Sequence, residues 1–134
     1  MATINGATLQ DIAYSGAAPL AAIHGKVTLA AAQINDKVRL NKVFAGTKIH
    51  DMKMINAALG ASVTVDLGFE YINGEAGGNA AYWLSNQACT NAAMNQSAAV
   101  PVTLLYDAYI IATVEGAAAT GALDTVATFE FKGK

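Results

Sequence analysis

The sequence predicts an all-β fold: a jelly-roll-like antiparallel β-sandwich with a short helix in its long connection and an extended N-terminal arm. Three observations carry this. First, residues 63–71 alternate strictly, with Val63, Val65, Leu67, Phe69 and Tyr71 on one side and Thr64, Asp66, Gly68 and Glu70 on the other. That is the period of a strand with one buried and one wet face. Second, about seven short runs of this kind are separated by Gly, Asn and Asp turns, the pattern of a sandwich or barrel. Third, the C-terminal third holds two runs rich in β-branched and aromatic residues, 102–114 and 123–131. The connection between them contains Gly116 and Gly121, which predicts an antiparallel hairpin.

Taken in order, residues 1–25 differ from the rest. Ile4, Leu9, Ile12 and Tyr14 are isolated apolar anchors without a sustained period, and Ser15-Gly16-Ala17-Ala18-Pro19 breaks any regular element. This reads as an arm ordered against its own domain or a neighbour, so the chain divides into an arm, 1–25, and a β-sandwich domain, 26–134. Removing residues 1–14 is expected to leave the domain folded and to weaken assembly. Strands follow at 26–34, at 37–44 after the turn pair Asn35-Asp36, and at 48–56 after Ala45-Gly46-Thr47. The last of these alternates poorly, with Met52 and Met54 expected in the core as gap fillers. After the strand at 63–71 and the turn 72–79, Asn79 is a candidate cap for a helix over Ala80–Ala88, because alanine is the best helix former. Residues 90–99 show no strong period, and Pro101 precedes the final pair of runs.

Composition narrows the function. Charged residues make up 13% of the chain, about half the usual fraction, and the formal net charge is −2. A nearly neutral chain gives no basis for binding nucleic acid. A surface this poor in charge predicts that part of it is hidden against other chains; the alternative is a monomer with an Asn-, Thr- and Ala-rich surface. No charge at all occurs between Glu75 and Asp107, which makes that region a candidate contact surface beside the arm. The single cysteine, Cys89, rules out an internal disulfide. No basic start followed by an apolar core marks a signal peptide, and no apolar run approaches a bilayer span, so no membrane partner is expected and a soluble chain is.

A search for chemistry finds no catalytic, cofactor-binding or metal-binding set, and the expectation is a protein that is not an enzyme and carries no cofactor. His24 and His50 are far apart, and neither has a ligand at metal-binding spacing. Asp66 and Glu70 share a strand face but stand about 13 Å apart, beyond the reach of a carboxylate pair. Asp107, inside an apolar run, is either a bulge or loop residue or a calcium or partner contact. Ser85 lacks the nucleophile-elbow context, Gly77-Gly78 lacks the following Lys-Ser/Thr of a phosphate loop, and Cys89 has no activating base nearby. Six of the eight bases fall between residues 26 and 53 and seven of the ten acids between 66 and 130. That order gives either a basic and an acidic side or, if the strands interleave, neither.

Three segments, Lys37-Val-Arg-Leu-Asn-Lys-Val-Phe-Ala-Gly46, Ala61-Ser-Val-Thr-Val-Asp-Leu-Gly-Phe69 and Tyr109-Ile-Ile-Ala-Thr-Val-Glu-Gly-Ala-Ala-Ala-Thr-Gly-Ala-Leu123, together resemble tailed-bacteriophage head decoration (capsid cement) proteins with a jelly-roll-like fold. The resemblance spans roughly residues 26–131 as a pattern of strands. It implies a virion structural protein, made in the host cytoplasm, that binds the major capsid protein lattice on the capsid exterior as a homo-oligomer (trimer or dimer) and stabilises it. The expected partner-binding residues are Ile4, Leu9, Ile12 and Tyr14 of the arm together with Arg39 and Lys42. Two other functions are compatible with the same strands. One is a tail or head–tail connector structural protein. The other is a carbohydrate-binding β-sandwich, which requires Tyr71, Tyr82 and Trp83 to be exposed as an aromatic platform.

Overall fold

A computed structural model of the chain describes residues 2–9 and 20–131. Among these described residues ten strands form two sheets: β1 (Thr3–Asn5), β2 (Ala21–Ala32), β3 (Lys37–Val43), β4 (Thr47–Asn56), β5 (Thr64–Tyr71), β6 (Asn79–Ala88), β7 (Ala93–Gln96), β8 (Val102–Thr103), β9 (Ala108–Glu115) and β10 (Ala119–Phe131). The first sheet has the order β1-β3-β9-β5-β6, and the second β2-β10-β4-β7 with β8 also paired to β4. Alternation explains which side of each strand is buried. Val27 and Leu29 of β2, Val38 and Leu40 of β3, Val65, Leu67 and Phe69 of β5, Ile110 and Ala112 of β9, and Leu123, Ala127 and Phe129 of β10 meet in one core between the sheets. Removing apolar side chains of this size from water supplies about 1.5–3 kcal/mol each, the dominant force holding the sheets together.

The strand at 63–71 is as its alternation predicts. The poor alternation at 48–56 has a cause in the structure: the β10–β4 ladder shifts register between Thr128 and Phe129, passing from Asp51 to Ile49. The bulge lets Ile49 and Met52, three residues apart, both enter the core, with Met54 beyond them.

Two sequence expectations are corrected. The short helix over Ala80–Ala88 is absent; these residues are strand β6, paired antiparallel to β5 with Leu67 opposite Leu84 and Thr64 opposite Ala88. Alanine's helix propensity is worth only tenths of a kcal/mol per residue, and the aromatic packing of Tyr82 and Trp83 against Phe69 (ring centroids 5.7 and 5.6 Å) outweighs it. Asn79 does not cap a helix either, since its Oδ1 accepts the N–H of Ala81 at 3.0 Å in a local turn. The ladder crosses Gly68, where a Cβ would run into the backbone of Asn79 and Ala80, so β6 lies this close only over glycine. The second correction concerns the C-terminal pair. β9 and β10 follow one another but lie in different sheets: β9 runs between β3 and β5, β10 between β2 and β4. Their connection arches across the core, and Gly121 sits at a register shift within β10 rather than in the turn. In addition, the run expected as one strand from Val102 to Val114 is broken into β8 and β9 by residues 104–107.

The N-terminal residues bridge the two sheets on one flank. β1 pairs in parallel with β3, Thr3 opposite Lys37 and Asn5 opposite Arg39. The chain then turns at Gly6, whose N–H donates to Arg39 O at 2.7 Å, and the Ala7 N–H reaches Lys26 O of β2 at 2.9 Å. The Thr8 hydroxyl accepts from Lys26 N at 2.9 Å and donates to Leu40 O at 3.0 Å. A Cβ on Gly6 would stand 2.9 Å from Lys26 O and 3.1 Å from Arg39 O, so the crossing is fitted to glycine. β2 itself begins at Ala21, so the division expected between residues 25 and 26 falls inside a strand.

Candidate interaction surfaces

The charged strands interleave. Lys37 and Arg39 of β3 and Glu70 of β5 flank β9 on the outer face of the first sheet. Lys37 Nζ donates to Glu70 Oε2 at 2.8 Å, Arg39 Nε donates to Glu70 Oε1 at 3.4 Å, and the Arg39 guanidinium lies 4.5 Å from the centre of the Tyr109 ring. Partly exposed pairs of this kind contribute at most about 1 kcal/mol, so the cluster orders the face more than it holds the fold. Beneath it Ile111 is buried on the outer side of the sheet, at the floor of an open depression of about 440 Å3 bounded by Lys37, Glu70 and the loop of Gly77 and Gly78. Of the charged groups lining it, Lys37 and Glu70 are paired with each other and Glu75 accepts the N–H of Asn73.

The outer face of the second sheet repeats the arrangement across β10. Asp124 is in register with Lys26 and Glu130 with Lys48. His24 Nε2 lies 2.8 Å from Asp124 Oδ2, and His50 Nε2 lies 2.9 Å from Glu130 Oε1. Both histidines therefore serve cross-strand pairs, a role that sequence spacing did not signal because the partners are 100 and 80 residues away. Asp51, beside His50 in sequence, points to a different partner, accepting from Gln96 Nε2 at 2.8 Å. Among the described residues no group of three or more His, Cys, Asp or Glu side chains is arranged to hold a metal ion.

Three titratable groups have structural roles. Asp107 Oδ1 accepts the N–H of Ala45 at 2.8 Å and fastens the β3–β4 turn to the segment before β9. Asp36 accepts from Ala2 N and Gln33 N, both at 2.9 Å, and these two N–H groups hold its carboxyl below the usual carboxylate range. Cys89 is buried, and desolvation raises its thiol pKa to about 11, which leaves it unreactive at neutral pH.

The expected partner residues are dispersed. Ile4 packs partly buried against the core, Leu9 is half-buried, and Ile12 and Tyr14 lie outside the described residues. Arg39 belongs to the Glu70 cluster, and Lys42 Nζ lies 5.8 Å from the Phe44 ring on the next turn. The carbohydrate-binding reading loses its support at two of its three aromatics: Trp83 and Tyr71 are only 5% and 7% exposed, and only Tyr82 is partly exposed. What sequence reasoning missed is an apolar end. Phe44, Leu105, Tyr106 and Phe131 are exposed large apolar residues at the end of the sandwich where β3, β5 and β10 finish, while the equally exposed Leu20 lies just before β2 and Val100 on the flank between β7 and β8. Their signal is invisible in sequence because five different connections or strand ends supply them.

No family model matches the chain, and no curated protein matches it. Solved structures do. A chain in the structure titled "Capsid of Ralstonia phage GP4" superposes with a TM-score of 0.75 over 99% of both chains at 12% identity. A chain of the "Cyanophage Pam1 capsid asymmetric unit" gives 0.66 over 92% of each at 14% identity. A chain of the "Acidic stable capsid structure of Helicobacter pylori bacteriophage KHP30" gives 0.62 over 85% of this chain and 89% of its own at 13% identity. At these identities the likeness is one of fold: the chain is a two-sheet β-sandwich of a kind that occurs in phage capsids.

Proposed function

We propose that this chain is a non-catalytic phage virion structural protein, and specifically a decoration (cement) protein that binds the capsid exterior and stabilises it. The observation that carries this is the end-to-end likeness to a chain in the Ralstonia phage GP4 capsid, 99% of each chain at a TM-score of 0.75. The likeness includes the N-terminal residues as well as the sandwich. The strand wiring supports a jelly roll: four strands in the order β2-β10-β4-β7 face four in the order β3-β9-β5-β6, and successive strands change sheet at every step from β2 to β5 and again from β8 to β10. Low charge and many partly exposed apolar residues suit a protein that ends its life covered on several sides. In this reading the arm, with Ile4, Leu9, Ile12 and Tyr14, and the basic residues Arg39 and Lys42 contribute to lattice contact. Many weak contacts repeated over a lattice then give high avidity.

The test is reconstitution. Purified protein is added to capsids that lack it, and bound protein is measured after sedimentation. Saturable binding at a fixed ratio to the major capsid protein is expected. Protein that stays in the supernatant with capsids, and co-sediments with tails instead, overturns the capsid assignment in favour of a tail component.

A further inference from the structure

We infer that Asn73 is a self-modification site, whose side-chain amide is converted to aspartate and isoaspartate by the backbone nitrogen of Gly74, with water as the only co-reactant. The chain contains the tripeptide Ile-Asn-Gly twice, at Ile4-Asn5-Gly6 and at Ile72-Asn73-Gly74. In both, the attacking nitrogen belongs to a glycine and so has no Cβ to shield it. The local sequence is the same, and the structure separates the two. Asn5 lies in β1 opposite Arg39, and the Gly6 N–H donates to Arg39 O at 2.7 Å. Gly6 is buried, and a Cβ there would stand 2.9 Å from Lys26 O. That peptide turns only if the crossing lifts away from both sheets.

Asn73 and Gly74 are both exposed, in the turn that follows β5. The Gly74 N–H donates to Tyr71 O at 3.3 Å, beyond the usual range for a backbone bond. Apart from its chain neighbours, nothing lies within 4 Å of where a Cβ on Gly74 would stand. Among the described residues no hydrogen bond holds the Asn73 side-chain amide, while its backbone N–H donates to Glu75 Oε1 at 3.0 Å. The side chain and the peptide it must meet are therefore free to approach each other.

In the reaction the Gly74 nitrogen gives up its proton and bonds to Asn73 Cγ. The Cγ–Nδ2 bond breaks, and the amide nitrogen leaves as ammonia with that proton, closing a cyclic imide. Water then adds to either imide carbonyl. Opening at one gives aspartate, and opening at the other gives isoaspartate, with the main chain rerouted through Cβ and Cγ. No electrons are gained or lost. Either product replaces a neutral amide with a carboxylate, lowering the formal net charge by one from −2. The new charge arises beside Gly74, which lines the depression that already holds Glu70 and Glu75 against the single base Lys37.

The test incubates the full chain at mildly alkaline pH, folded and in urea, and follows peptides containing positions 5 and 73 by mass spectrometry that distinguishes isoaspartate from aspartate. In the folded protein, position 73 should react about tenfold or more faster than position 5, because attack at Gly6 waits for local opening. In urea the two rates should agree to within about threefold, since unfolding removes both settings and leaves the same tripeptide. Isoaspartate should accompany aspartate at position 73. Gly74→Ala, whose Cβ enters open space, should slow the reaction at 73 with the circular dichroism unchanged. Equal rates at 5 and 73 in the folded protein, or a position 73 that reacts only in urea, would overturn the inference. So would aspartate without isoaspartate, which marks direct hydrolysis without attack by Gly74.

Discussion

The two open flanks of the sandwich are finished in opposite ways. On one flank, β2 and β3 are the long edge strands of the two sheets, and the chain's own N-terminus crosses between them. β1 extends the first sheet beside β3, while Ala7 and Thr8 occupy hydrogen-bonding positions on β2. This flank is also charged, with Lys26, Lys37 and Arg39 close to the crossing. On the other flank, β6 and β7 form the edges, and the whole run between Glu75 and Asp107 lacks a charged residue. Edge strands are normally protected by charge, proline, bulges or a covering segment. The first flank uses a covering segment. The second has two register shifts in the β5–β6 ladder and no charge on either edge strand. The contrast teaches that one segment of the chain's own backbone can seal a flank, while the opposite flank relies on register shifts alone.

That contrast can be broken at either flank. The largest effect is expected from Gly68→Val, because any side chain there meets the Asn79 and Ala80 backbone and must displace β6. A loss of about 3 kcal/mol or more is expected in urea unfolding, with proteolysis beginning in 72–103. On the sealed flank, Gly6→Val pushes the crossing away from Lys26 O and Arg39 O and should cost about 1–3 kcal/mol while leaving both sheets folded. If Gly6→Val proves as damaging as Gly68→Val, the N-terminal crossing is part of the core rather than a cover.

A smaller effect, with a pH signature, comes from Asp36→Asn. Asp36 ties Ala2 to the β2–β3 turn, and its carboxyl is held below its ordinary value by the N–H groups of Ala2 and Gln33, against an opposing desolvation. A depressed folded-state pKa contributes stability above the unfolded-state value of about 4, and that contribution is lost as pH falls through the folded value. The wild type should therefore be more stable than Asp36→Asn at pH 7, and the difference should shrink as pH falls below about 4. A difference that is constant from pH 7 to 2 would contradict this. The smallest effect is expected from Glu70→Ala on the outer face, about 1 kcal/mol or less and further reduced by salt, read from melting temperatures at low and high ionic strength.

Much of the fold was legible where burial is one-sided. Val63 to Tyr71 and residues 37–40 show their alternation directly, and the core identity of Met52 and Met54 followed from methionine's use as a gap filler. Three things were not legible, each because it depends on pairing rather than on local sequence. The Asn79–Ala88 segment is alanine-rich, and only the approach allowed by Gly68 and the ring of Phe69 makes it a strand. A two-glycine connection fits a hairpin and an arch between sheets equally well; β9 and β10 form the arch because each already has two other neighbours. The His24–Asp124 and His50–Glu130 pairs and the apolar end are assembled from residues remote in sequence, so no spacing rule could find them.

The central claim is that this chain is a decoration component of a phage head. The most direct measurement is cryo-electron microscopy of native particles carrying a small tag on the exposed turn at Gly74. The account predicts tag density repeated over the outside of the head at positions set by the lattice symmetry. Tag density confined to the tail or the head–tail junction, or absent from purified particles, would contradict it.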